Sequence, residues 1–195
     1  MPTAILVDGE FFLKRYRHIR GKQSPRSVAN DLHWMCLKHL EDGQRERHLY
    51  RIFLYDCPPL MKKVHNPITH KAIDFSKTQT ASWRFDFHQE LRKKRKMALR
   101  LGYLNERSGY WIVRPDRLKA LLEGETTVDE LTEADVKYDV KQKGVDMRIG
   151  LDIASMTFKR QVNQIILVAG DSDFVAAAKL ARREGIDFIL DPMWA

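Results

Sequence analysis

Four aspartates occupy positions from which chemistry could be done: Asp8, Asp146, Asp171 and Asp173. Asp8 closes the short apolar run Ala4 to Val7, and Asp171 follows the apolar run Gln164 to Ala169. Asp173 is two residues further on, and Asp146 opens a largely apolar stretch after Gly144. Carboxylates crowded together repel one another, so such a group is normally stable with a cation bound. Hard oxygen donors without soft partners suit Mg²⁺ or Mn²⁺. Each acid also has a plainer role: Asp8-Gly9 as a turn, Asp146 and Asp171 as helix N-caps, Asp173 as a complement to a helix dipole. Asp152 follows Asp146 by six residues, about 240° round an ideal helix, and is expected to act from outside the group if it acts at all. Ser172, between two of the acids, could bond a phosphate oxygen but reads better as a helix cap.

For these acids to meet, their carriers must be the carboxyl ends of parallel strands, where ligands bind in an open α/β sheet. Ala4 to Val7 and Leu49 to Tyr55 read as buried strands, with a helix between them started by Ser24-Pro25 and ended by Gly43. Near the other end, Ile149, Ile153 and Met156 mark a helix and Gln164 to Ala169 a strand. Phe174, Ala177, Ala178 and Ala181 mark a second helix stopped by Gly185, and Ile186 to Leu190 a last strand. With five residues after Leu190, that strand is expected to lack a covering helix. Alternating strands and helices predict an α/β fold: a doubly wound, mainly parallel sheet with helices on both faces. A single domain over residues 1–195 is expected, with a basic insertion at about 57–135 between the second strand and the KGVD motif. Within it, Phe87, Leu91 and Ala98 suggest a helix, Tyr110 to Arg114 and Val136 to Val140 short strands, and Leu118 to Leu122 a short helix. Asp56, before Pro58-Pro59, reads as a turn residue.

Composition narrows the partners. With 195 residues and 44% apolar content the chain can bury a core unaided. Its 34 Lys and Arg against 26 Asp and Glu give a net charge of +8, which favours polyanions. Two cysteines, Cys36 and Cys57, without zinc spacing, argue against a disulfide framework or a zinc site and for a reducing, cytoplasmic setting. The first residues lack a signal-peptide pattern, and no apolar run approaches a membrane span.

Three segments together resemble a known family: VDGE at Val7 to Glu10, KGVDMRIGLDIA at Lys143 to Ala154, and AGDSDFVAAAKLARREG at Ala169 to Gly185. Their order and spacing are similar to NYN domains, specifically the LabA-like branch of the PIN-like nucleases. The resemblance implies a divalent-metal-dependent endoribonuclease in which Asp8, Asp146, Asp171 and Asp173 are catalytic and hold Mg²⁺ or Mn²⁺, with Asp152 as a further acid of the pattern. Attack by metal-activated water needs no catalytic His or Ser and would leave a 5′-phosphate and a 3′-hydroxyl. One departure stands out: where such sequences usually place Asn one residue beyond the DG, this chain has Phe11.

RNA, single-stranded or structured, is the expected partner, and self-association into a homodimer is left open. Phosphate contacts are expected from Arg92, Lys93, Lys94, Arg95, Lys96 and Arg100, a run without one acid, and from Lys14, Arg15 and Arg17 near Asp8. Trp83, Phe85, Phe87, Tyr103, Tyr110 and Trp111 interleave with these charges and include candidates for base stacking, although most read as core. The alternatives are a weakly cleaving RNA-binding adaptor, for which Phe11 speaks, and a structure-selective DNA nuclease. A haloacid-dehalogenase-like phosphatase is disfavoured, because its DxD motif follows an early strand.

Overall fold

The computed structural model describes residues 1–41 and 47–193. The chain divides into two compact units, one formed by Met1–Pro58, Trp83–Tyr103 and Lys143–Ala195, the other by Pro59–Ser82 and Leu104–Gln142.

The first unit is built on five parallel strands: β1 (Pro2–Asp8), β2 (His48–Asp56), β3 (Met97–Leu101), β4 (Gln164–Val168) and β5 (Asp187–Asp191). Their order across the sheet is β5-β4-β1-β2-β3. This is the doubly wound order, and its reversal point falls between β1 and β4, where a crevice opens at the carboxyl ends. The strands alternate faces. Ile5, Val7, Ile52, Leu54, Ile166 and Val168 pack against α1 (Gly9–Arg20), α2 (Pro25–Lys38) and the C-terminal half of α3 (Gln79–Arg92) through Phe12, Leu32, Phe87 and Leu91. Leu6, Phe53, Tyr55, Ile165 and Leu167 point the other way, toward α4 (Val145–Phe158) with its buried Ile149, Ile153 and Met156. The helix α5 (Val175–Arg183) packs beside α4 and on β5. β5 remains partly exposed, with Leu190 54% accessible.

The first unit follows its predicted elements closely, with three corrections. A twelve-residue helix, α1, starts at Gly9, where a turn was expected. Glycine is required there: a Cβ on Gly9 would lie 2.8 Å from the Tyr55 carbonyl oxygen. The helix predicted through Phe87, Leu91 and Ala98 ends at Arg92, because Lys96 turns the chain with a φ of 60° and Ala98 lies within β3. Phe174 ends a short 3₁₀ turn, Ser172–Phe174, ahead of α5. The predicted helix end at Gly43 lies outside the described residues.

The second unit contains two antiparallel pairs, Lys63–His65 with Ala72–Asp74 and Tyr110–Val113 with Val136–Asp139, and a helix Pro115–Leu122. Asp135 ties it together: Arg117 Nε reaches one carboxylate oxygen at 2.7 Å, while the Thr132 backbone N–H and hydroxyl donate to the other at 2.8 and 2.7 Å. Residues 83–103, inside the stretch read as an insertion, instead carry most of α3 and the outer strand of the central sheet. Among the described residues no helix is long and apolar enough to cross a membrane.

Candidate active site

Asp8 is the last residue of β1 and the N-cap of α1. Its Oδ1 accepts from the backbone N–H of Glu10 at 3.0 Å and of Phe11 at 3.2 Å, satisfying donors the helix leaves open. Its pKa is raised from 3.8 to about 6: burial outweighs those two hydrogen bonds, and the negative charges of Asp146 and Glu10 contribute to the rise. Asp146 is not a cap. Gly144, with a φ of 79°, holds the N-cap position of α4 and turns the chain so that Asp146 falls in the first helical turn. Its carboxyl is also raised, by burial first and then by Asp171, Asp173 and Glu10.

Asp171 stands three residues beyond β4 and caps the short turn that leads into α5, accepting from the Asp173 backbone N–H at 3.0 Å. The capping group there is Asp171; Ser172, read as the cap, is exposed in the first position of the turn. Asp8 and Asp171 thus follow the carboxyl ends of β1 and β4, on either side of the reversal point, and Asp146 lies within electrostatic reach of Asp8, Asp171 and Asp173. Glu10 joins them. It was missed because an acid in the first turn of a helix is ordinary, and α1 itself was not expected. Its carboxylate pairs with Lys14 at 2.8 Å.

The donor set is all carboxylate oxygen, the chemistry of a hard divalent cation. The spacing is open: among the described residues, no three His, Cys, Asp or Glu side chains stand where they would jointly hold an ion. Asp152 has partners outside the group. Its Oδ2 accepts from the Tyr55 hydroxyl at 2.8 Å and faces Arg100 Nε at 3.2 Å.

The crevice wall has two further features. The Phe11 ring lies against the backbone at Gly170, and a Cβ on that glycine would meet Phe11 Cε2 at 2.4 Å. Asp56, predicted as a turn residue, is instead fully buried at the end of β2. It accepts from Arg84 Nη1 at 2.5 and 2.6 Å, pairs with His88 Nε2 at 2.7 Å, and receives the Cys57 N–H at 2.8 Å. Burial pushes its pKa up, but His88 and Arg84 outweigh that and hold it below the ordinary value. The signal was present in Arg84 and His88, four apart on one face of α3.

The predicted basic residues separate into two groups. Arg92, Lys93, Lys94, Arg95 and Lys96 lie at the amino end of β3, the opposite rim from Asp8, since Met97 pairs with Ile52 and Leu101 with Asp56. Three are engaged locally: Lys93 with Glu90, Lys94 with Asn30 and Lys96 with the Leu49 carbonyl. Arg100 is at the carboxyl rim. Near Asp8, Arg15 donates to the Met193 carbonyl at 3.0 Å and Arg17 stacks 5.5 Å above Trp83. Among the aromatics, Phe87 is core and stacks on Trp83 at 5.3 Å, and Trp111 meets Tyr138 edge-on; Phe85, Tyr103 and Tyr110 are exposed.

A crystal structure of a protein of unknown function from Vibrio parahaemolyticus superposes with a TM-score of 0.47 at 15% identity, covering 97% of this chain and 79% of that one. No curated protein sequence matches. The NYN domain profile matches residues 71–192, more than half of the chain and including KGVD and GDSDF. The chain belongs to the NYN domain family, within the PIN-like nuclease superfamily.

Proposed function

We propose that this protein is a divalent-metal-dependent endoribonuclease. The observation that carries the reading is the placement of Asp8 and Asp171 after the two strands that flank the reversal point of a doubly wound sheet, with Asp8 and Asp146 both raised partly by neighbouring acids. Four carboxylates that repel one another on one rim are stabilised by a bound dication. Those four would hold Mg²⁺ or Mn²⁺. When bound, such an ion supplies the Lewis acidity that water attack on a phosphodiester requires.

The protein supplies position. Asp8 is fixed by two backbone donors and Asp171 by one, so each can turn its second oxygen to a ligand without losing its cap. A second reading, an RNA-binding adaptor that cleaves poorly, rests on Phe11, which places a ring against Gly170 where the family pattern has a polar side chain. Cleavage of structured DNA is the remaining rival for the same acids.

The test is cleavage of labelled single-stranded RNA, structured RNA and flapped DNA in Mn²⁺, Mg²⁺ or EDTA by the wild type and Asp171→Asn. Metal-dependent cutting of RNA, lost in the variant, is expected. RNA binding without cutting under any metal selects the adaptor, and cutting of DNA alone selects the third reading.

A further inference from the structure

The register of the central sheet places Asp8, Tyr55 and Arg100 in one row: Asp8 pairs with Tyr55 across β1 and β2, and Tyr55 with Arg100 across β2 and β3. Neighbours in a row of a parallel sheet point to the same face, so Arg100 stands on the carboxyl rim two strands from Asp8, about 10 Å across the sheet. Its side chain is held on two sides. Nε faces Asp152 Oδ2 at 3.2 Å, and the guanidinium carbon lies 5.3 Å from the centre of the Phe53 ring. Asp152 is itself fixed by the Tyr55 hydroxyl, a fully buried phenol whose pKa is raised by burial and by Asp152, and which therefore remains a donor.

This arrangement engages Nε and one face of the guanidinium. The Arg100 side chain is 46% exposed, and among the described residues Asp152 is its one ion-pair partner. A planar fork braced on an aromatic face and an acid is preorganised for bidentate binding of a tetrahedral anion.

We infer that Arg100, held by Asp152 and Tyr55, is a phosphate clamp on the carboxyl rim that binds a backbone phosphate of a single-stranded nucleic acid next to the one presented to the acids. Asp152 is then a positioning residue for Arg100 and not a metal ligand. The basic run Arg92 to Lys96 belongs to the opposite rim and takes no part.

The inference rests on the nuclease reading for its geometry, but its test does not need cleavage. Binding of fluorescein-labelled oligouridylate and oligodeoxythymidylate is followed by anisotropy in EDTA over a range of KCl concentrations. Arg100→Met should weaken binding and reduce the slope of log K against log salt by about 0.7, the value for one phosphate contact on a single strand. Asp152→Asn should weaken binding by a factor of a few with a smaller change in slope, because the charge remains but its aim is lost. Arg95→Met should leave binding to the rim unchanged. Equal loss on both oligomers identifies the phosphate as the ligand; loss on RNA alone would overturn the clamp in favour of a ribose contact.

In the wild type, phenylglyoxal should modify Arg100 freely and be blocked by oligouridylate, a readout independent of whether any variant folds. Equal modification with and without RNA, or an unchanged salt slope in Arg100→Met, overturns the proposal. Arg100-dependent binding by a protein that never cuts would remove the ribonuclease reading and leave the clamp standing. Metal-dependent cutting with binding indifferent to Arg100 would do the reverse.

Discussion

Phe11 and Gly170 touch across the crevice between β1 and β4: the ring edge occupies the space where any larger residue at 170 would place its Cβ, 2.4 Å from Phe11 Cε2. The contact links the first turn of α1, which Asp8 caps, to the residue immediately before Asp171. The spacing of two candidate metal ligands is thus coupled to one aromatic ring.

Gly170→Ala should therefore destabilise the protein by about 1–3 kcal/mol through overpacking and depress metal-dependent cleavage by displacing Asp171. Phe11→Ala in the same chain should restore part of both. Chemical denaturation of the two single variants and the double variant checks this, and additive losses would show that the two sites are not in contact.

Asp8→Asn should abolish cleavage and raise stability at neutral pH. Asn keeps an acceptor for the Glu10 and Phe11 N–H groups, so the cap survives. The sign follows from the raised pKa: folding favours the protonated acid, so its cost is absent below 3.8 and complete above about 6. A shift of this size corresponds to roughly 1–3 kcal/mol. Urea denaturation without divalent ions should show the wild type losing stability relative to the variant as pH rises through that window. Loss of stability in the variant at pH 7 would contradict the assignment.

Asp56→Ala should cost about 3–5 kcal/mol, because Arg84 and His88 lose the buried carboxylate they pair with. The Asp56 pKa is lowered, so its contribution is present above 3.8 and is lost as pH falls through the folded value. Denaturation midpoints of wild type and variant should differ at neutral pH and converge at acid pH. A difference that stays constant with pH would mean packing, not charge, explains the loss.

In the second unit, Asp135 is held down to about 2 by Arg117 first and then by the Thr132 donors. Its stabilising effect should persist through mild acid and disappear as pH falls from 3.8 toward 2. Amide exchange across residues 104–142 reads this directly, and Asp135→Asn should make protection in that unit insensitive to pH over the same range.

Much of this architecture was legible because its signals are local. Apolar runs ended by Asp8 and Gly170-Asp171, and helical spacing through Ile149 and Ile153, each fix an element without reference to distant residues. What escaped depends on tertiary contact. Gly9 looks like a turn residue until the Tyr55 carbonyl is seen 2.8 Å from its missing Cβ, and Asp56 looks like a turn residue until Arg84 and His88 reach it. The third strand hid behind RKKRK, because a run of charge masks the five-residue strand that starts immediately after it. The candidate acids were readable as individuals. That Asp152 meets Tyr55 and Arg100 required the register of three strands.

Calorimetric titration of Mn²⁺ into the wild type, Asp171→Asn and Asp152→Asn tests most directly whether these acids form one cation site. Saturable binding in the wild type, lost in Asp171→Asn and retained in Asp152→Asn, is the predicted result. Undiminished binding in Asp171→Asn, or no binding to the wild type, would contradict the account.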